Sequence, residues 1–128
     1  MNAIYDAGYL VAIDRGDRIA WAKHQLRLAR RELPVTTAPV IAQVSRSARQ
    51  ASLHRLLRGC HVEPFATAEA HAVGALLAAS GTADVVDAHL ALVASRLPAS
   101  TIITSDARDM RRLATRVDGD VQVRVVGI

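Results

Sequence analysis

The stretch Ser100-Thr101-Ile102-Ile103-Thr104-Ser105-Asp106-Ala107-Arg108-Asp109-Met110 decides the fold class. Its first five residues are β-branched and apolar without a polar alternation, the pattern of a strand buried on both faces of a parallel sheet. Ser105 or Asp106 then offers the side-chain oxygen that opens a helix, predicted to run to about Arg116. A parallel strand needs helices over both faces, so the same strand-then-helix grammar should recur along the chain.

It recurs in both directions. Ala3-Ile4-Tyr5 reads as a strand that ends at Asp6 and feeds a helix through Leu10 and Ile13. A second helix is predicted from about Gly16 to Leu33, with Ile19, Trp21, Ala22, Leu26 and Ala29 apolar and Arg18, Lys23, His24, Arg27, Arg30 and Arg31 on its other positions, until Pro34 ends it. Val35-Thr36-Thr37 is a second strand, and Pro39 stands where proline opens a helix carrying Val40, Ile41 and Val44. A helix over Ser52 to Arg58 stops at Gly59, and Cys60-His61-Val62 is a third strand. Thr67 is the expected N-cap of a helix to Ser80-Gly81, and a further helix runs from Thr82–Asp84 to Leu97, before Pro98. Past the turn Asp118-Gly119-Asp120, Val121 to Val126 closes the sheet. The expectation is a three-layer α/β sandwich with a mostly parallel central sheet, in one domain covering residues 1–128.

Composition narrows the function classes. The chain has 128 residues, of which 51% are hydrophobic and only 3% aromatic, so the core is aliphatic and few rings are free to stack on bases. Net charge is +4, and Lys23 is the only lysine, so the basic side is almost wholly arginine, whose planar fork suits phosphate and carboxylate. The single cysteine, Cys60, excludes an internal disulfide and a cysteine-rich zinc site, and reads as a buried structural thiol. No run approaches the roughly 18 apolar residues of a membrane span, and Asp6 interrupts the only candidate leader, so a cytoplasmic protein without membrane contact is expected.

There are nine aspartates and three glutamates. Asp6 and Asp106 follow the carboxyl ends of strands, the edge where open α/β sheets build their sites. Asp84 and Asp87, three residues apart at a helix start, share a face, as do Asp106 and Asp109. Asp84 and Asp106 are also good N-caps and Asp109 a favourable first-turn acid, whereas Asp6 and Asp87 are poorly explained by capping. Several carboxylates meeting in one pocket need a cation among them, and an all-oxygen set favours Mg²⁺ or Mn²⁺. Such an ion can activate water against a phosphodiester. No glycine-rich phosphate loop, nucleophile elbow or spaced histidine ligand set is present; His89 alone stands near an acidic segment, two residues after Asp87. A receiver-type domain would need a late lysine, and Lys23 is early.

Four segments taken in order resemble the PIN-domain family, in particular the VapC-type toxins of type II toxin-antitoxin pairs. They are Tyr5-Asp6-Ala7-Gly8-Tyr9-Leu10, Ala38-Pro39-Val40-Ile41-Ala42-Gln43-Val44, Asp84-Val85-Val86-Asp87-Ala88-His89-Leu90-Ala91 and Ile102 to Met110. The resemblance implies a PIN fold and a metal-dependent endoribonuclease that hydrolyses RNA. Asp6, Asp87 and Asp106 would hold Mg²⁺ or Mn²⁺, with Asp84 and Asp109 as additional acids and Gln43, Thr104 and Ser105 in support. It further implies a homodimer neutralised by a cognate antitoxin, with Arg46, Arg108, Arg111 and Arg112 contacting RNA or that antitoxin. Gln43 stands where the family carries a glutamate, which removes one negative charge and implies weaker metal affinity. Glu63 and Glu69 are too distant in sequence to be assigned as its replacement. The alternative is a catalytically weak or inactive PIN-domain protein that serves as an antitoxin-binding partner.

Overall fold

In a computed structural model that describes residues 1–126, five parallel strands form one sheet. The strands are β1 (Asn2–Tyr5), β2 (Val35–Thr37), β3 (His61–Glu63), β4 (Ser100–Thr104) and β5 (Val121–Val125), in the spatial order β3-β2-β1-β4-β5. The helices between them are α1 (Ala7–Asp14), α2 (Arg18–Ala29), α3 (Ala38–Val44), α4 (Ala51–Arg58), α5 (Ala70–Ser80), α6 (Val85–Ser95) and α7 (Ala107–Ala114). The strand order runs outward from β1 through β2 to β3, then returns to the other side of β1 for β4 and β5. Because parallel crossovers keep one hand, this reversal sends the two sets of helices to opposite faces. Accordingly α1 packs on α2, α3 and α4, while α6 packs on α5 and α7. Every expected strand and long helix is present, and the sheet is parallel throughout.

Several boundaries differ: α2 ends at Ala29 rather than at Leu33, with Arg31 in the left-handed conformation at a φ of 59° so that Pro34 is not what stops it, and two further differences have local reasons. The second helix starts at Arg18 because Asp17, not Gly16, accepts the first free amides, from Ile19 at 3.0 Å and Ala20 at 3.1 Å. Thr67 does not cap α5; it begins a single 3-10 turn, Thr67–Glu69, that leads into the helix without a side-chain cap. The C-terminus of α5 is at Gly81, whose φ of 70° is the left-handed conformation that ends a helix most cheaply in glycine.

The core is aliphatic, as composition requires. Ile4, Leu10, Leu53, Leu56, Leu90, Ile102, Met110 and Leu113 are sealed from solvent, and each such side chain contributes roughly 1.5–3 kcal/mol by leaving water. The β1–β4 register pairs Asn2 with Ser100 and Tyr5 with Ile103. One step further, the Asp6 amide donates to the Ile103 carbonyl at 3.0 Å, so the residue after each central strand leaves the sheet at the same level. That level, between strands β1 and β4, is where the strand order reverses and where a crevice opens.

Candidate functional site

Asp6 leaves the tip of β1 with only 7% of its surface exposed. Its two carboxylate oxygens are both engaged: Oδ1 accepts the Ala7 amide at 2.7 Å, and Oδ2 accepts Thr104 Oγ1 at 2.7 Å. Thr104 in turn accepts the Asp106 amide at 3.2 Å, so one threonine hydroxyl ties the ends of both central strands together. Asp106 is exposed, and its Oδ1 caps α7 by accepting the Arg108 amide at 3.2 Å. On the neighbouring helix, Asp84 caps α6 by accepting the Asp87 amide at 3.1 Å. The capping roles expected for Asp84 and Asp106 are therefore real, and they coexist with a shared acidic locale.

That locale bears on Asp87. Burial, followed by the charges of Asp6, Asp84, Asp109 and Asp106, pushes its carboxyl up to about 7. Asp6 is also raised, mainly by burial, against the pull of the Thr104 and Ala7 hydrogen bonds and with Asp84 and Asp106 adding repulsion. Five aspartates from three segments thus feel one another at the sheet edge. Among the described residues no lysine or arginine forms an ion pair with any of them.

The donor set is all oxygen and strongly negative, which fits a hard divalent cation such as Mg²⁺ or Mn²⁺ in chemistry and in charge. The side chains are not closed on a common ion position: among the described residues no group of three or more Asp, Glu, His or Cys is arranged to ligate a metal. The arrangement is an acidic cleft held at its base by Thr104, with its rim carboxylates, Asp84, Asp106 and Asp109, reaching solvent.

The other expected residues divide. Ser105 lies against the first turn of α1, where a Cβ built on Gly8 would come within 2.5 Å of the Ser105 Cβ and 2.6 Å of its amide nitrogen. Glycine at position 8 is what lets α1 start directly beside the strand that delivers Asp106. Sequence reading passed over this residue, although its place two positions after Asp6 is the available signal. Arg108, Arg111 and Arg112 are exposed on α7 beside the acidic edge. Gln43 is exposed on the last turn of α3 and hydrogen-bonds to none of the five carboxylates. Arg46 lies exposed in the following loop, with its guanidinium on the Ser45 carbonyl at 2.8 Å.

Two expectations are corrected and two are kept. His89 is not at the rim of the site; it is wholly buried, edge-on to Phe65 with ring centroids 4.7 Å apart and 3.9 Å from Glu69. Its place two residues beyond Asp87 turns it onto the inner side of α6, toward Glu69 rather than the aspartates. Glu69 pairs with Arg96 at 2.9 Å and Glu63 with His61 at 2.8 Å, so neither glutamate substitutes for the missing one near the cleft. The basic face of α2 is not a uniformly solvated one, because His24 and Arg27 are buried on the inner side of the helix with Tyr5 and Tyr9. Cys60 agrees with its expected inert role: its thiol contacts the Leu56 carbonyl at 3.4 Å, and burial pushes it up to about 12.

No protein-family model matches the chain, and no curated protein does. Among solved structures, one chain of the crystal structure of VapBC2 from Rickettsia felis, bound to a DNA fragment from their promoter, matches with a TM-score of 0.66. Identity is 16%, and the match covers 97% of this chain and 99% of that one. The likeness establishes the fold: the chain is a PIN-like α/β sandwich with a parallel sheet between two helical layers.

Proposed function

We propose that the protein is a metal-dependent endoribonuclease of the toxin-antitoxin type, cleaving RNA phosphodiester bonds at the acidic cleft. The observation that carries this reading is the mutual electrostatic coupling of Asp6, Asp84, Asp87, Asp106 and Asp109 on the carboxyl edge of a PIN-like sheet. The VapBC2 likeness supports a toxin-antitoxin setting, with a cognate antitoxin as partner, and a homodimer is what the family resemblance of the four motifs implies.

Asp6, Asp87 and Asp106 would hold Mg²⁺ or Mn²⁺, with Asp84 and Asp109 adding charge at the rim. When bound, the ion supplies the positive charge that lowers the pKa of an attacking water and offsets charge gathering on the phosphate. The protein's own contribution is positional. Thr104 holds Asp6 in one orientation by donating to Oδ2, a bond that favours the carboxylate form against the upward push of burial. Arg108, Arg111 and Arg112 orient the RNA backbone at the mouth of the cleft through its phosphates. Asp87, with a carboxyl raised to about 7, would be the ligand whose ionised form a bound cation would favour most.

A second reading has an observation in its favour. Gln43, exposed on α3, hydrogen-bonds to none of the five carboxylates, and no three ligating side chains are closed together among the described residues. That combination suits a weak or inactive site retained in an antitoxin-binding partner. Incubating a structured RNA pool with the purified protein in Mg²⁺ or Mn²⁺, with and without EDTA, separates the two. Chelator-sensitive cutting is expected; a folded protein that binds an antitoxin but cuts nothing would favour the second reading.

A further inference from the structure

A cleft of about 390 Å³ lies between α2 and the strands β4 and β5, and none of the five clustered aspartates lines it. At its base is Arg27, only 7% exposed. Its Nη1 donates to the Tyr5 hydroxyl at 3.2 Å and to the Tyr9 hydroxyl at 3.1 Å, and the guanidinium carbon lies 5.5 and 5.6 Å from the two ring centroids. Among the described residues Arg27 has no carboxylate partner, and its Nε and Nη2 make no hydrogen bond. A buried guanidinium without a counter-ion is costly, and two phenols kept neutral by burial supply dipoles but no charge. The free side of this fork matches the two oxygens of a carboxylate.

The walls say what else the occupant brings. Arg30 and Arg124 are exposed on opposite sides and extend the positive field. Exposed aliphatic side chains stand among these charges: Ile19 is 67% exposed, Leu26 49% and Met1 52%. Two acids, Asp17 and Glu32, also line the cleft; Asp17 caps α2, and neither forms an ion pair with Arg27. Single-stranded nucleic acid would present phosphate, but it would also call for rings on which to stack. Here Tyr5 and Tyr9 stack on each other, with centroids 4.1 Å apart, and are buried beneath the cleft.

We propose that this cleft docks a segment of a partner protein that seats a carboxylate on Arg27 and aliphatic side chains on Ile19 and Leu26. It is a protein-binding surface separate from the acidic cleft, and it stands whether or not the chain cuts RNA.

The test uses the full chain and a fluorescent peptide in which glutamates alternate with leucine and valine, its glutamine counterpart, and a uridine oligonucleotide. The glutamate peptide is expected to bind at least about tenfold more tightly than the glutamine peptide. Substituting the exposed pair, Arg30→Glu with Arg124→Glu, should weaken it by at least about tenfold, and Leu26→Ser should weaken both peptides several-fold. Arg27→Gln should abolish the preference for glutamate; if that variant fails to fold, the surface variants decide. Equal binding of the two peptides, or no loss in the Arg30/Arg124 variant, would overturn the proposal. So would an oligonucleotide that outcompetes the peptide and loses binding in the same variants. Peptide binding that appears only after removal of residues 127–128 would overturn it too, assigning the cleft to the chain's own end.

Discussion

Thr104 Oγ1 donates a 2.7 Å hydrogen bond to Asp6 Oδ2 across 98 residues of sequence. The bond continues the β1–β4 register beyond the sheet: Tyr5 pairs with Ile103, and Asp6 and Thr104 then join through their side chains as well as through the Asp6 amide on Ile103. It is the contact that converts sheet topology into a positioned carboxylate.

Thr104→Val removes that donor with little change of shape. A buried carboxylate oxygen is left without a partner, at a cost of about 1–3 kcal/mol. Because the Thr104 bond opposes the upward push of burial on Asp6, its loss raises that carboxyl further. The acid limb of the RNA-cleavage pH profile should move to higher pH in Thr104→Val and return in Thr104→Ser. A loss of rate with an unmoved profile would assign Thr104 a merely structural role.

Gly8→Ala places a methyl group 2.5 Å from the Ser105 side chain and 2.6 Å from its backbone nitrogen. The backbone contact cannot yield by a rotamer change, so the start of α1 and the loop carrying Asp106 must separate. Expected are a stability loss of about 1–3 kcal/mol, the usual cost of overpacking, and a fall in divalent-ion affinity read by calorimetry. Wild-type stability and affinity would show that the two segments part without consequence.

Asp87 carries a testable pH signature. Its folded carboxyl, at about 7, lies above the unfolded value, so its contribution to stability is complete below about 4 and is lost as pH rises through about 7. After allowance for its solvent-facing side the effect is about 1–2 kcal/mol. Asp87→Asn should therefore raise the metal-free melting temperature at pH 8 while removing most of the stabilisation that Mn²⁺ gives the wild type. In the wild type, Mn²⁺ stabilisation should shrink between pH 8 and pH 6 as Asp87 takes up a proton.

His24 acts with the opposite sign. Burial, reinforced by Arg27, lowers its imidazole to about 4, and it sits neutral with Nδ1 2.8 Å from the Tyr5 hydroxyl. The unfolded chain binds the proton more readily, so stability falls as pH drops from about 6.5 toward 4, by about 2–3 kcal/mol. Asp87 masks this in the wild type over the same range. Denaturant titrations of Asp87→Asn between pH 7 and pH 4 should expose the decline; a flat profile in that variant would contradict it.

The order of strands and helices was legible because each has a local cause. The β-branched run from Ser100 to Thr104 has no helical period, Pro98 follows closely on the end of α6, and Asp84 and Asp106 cap the helices that start beside them. The acidic locale was legible through topology, since Asp6 and Asp106 come after strands that turn out to be adjacent. Arg27 and His24 were not, because basic residues on a helix read as solvent-facing unless the aromatic hydroxyls that receive them are known, and Tyr5 and Tyr9 lie more than a turn of chain away. His89 was misplaced for the converse reason: nearness in sequence to Asp87 is not nearness in space on a helix, where two residues apart means nearly opposite sides.

The central claim is that the clustered aspartates bind a divalent ion and that this drives RNA cleavage. The most direct measurement is single-turnover RNA cleavage across a Mn²⁺ titration for the wild type, Asp87→Asn and the rim variant Asp109→Asn, with Mn²⁺ binding followed on the same samples. The account predicts that the wild type cuts in proportion to bound Mn²⁺, that Asp109→Asn needs more Mn²⁺ to reach the same rate, and that Asp87→Asn binds weakly and cuts negligibly. Cleavage that persists undiminished in Asp87→Asn or in EDTA would contradict it.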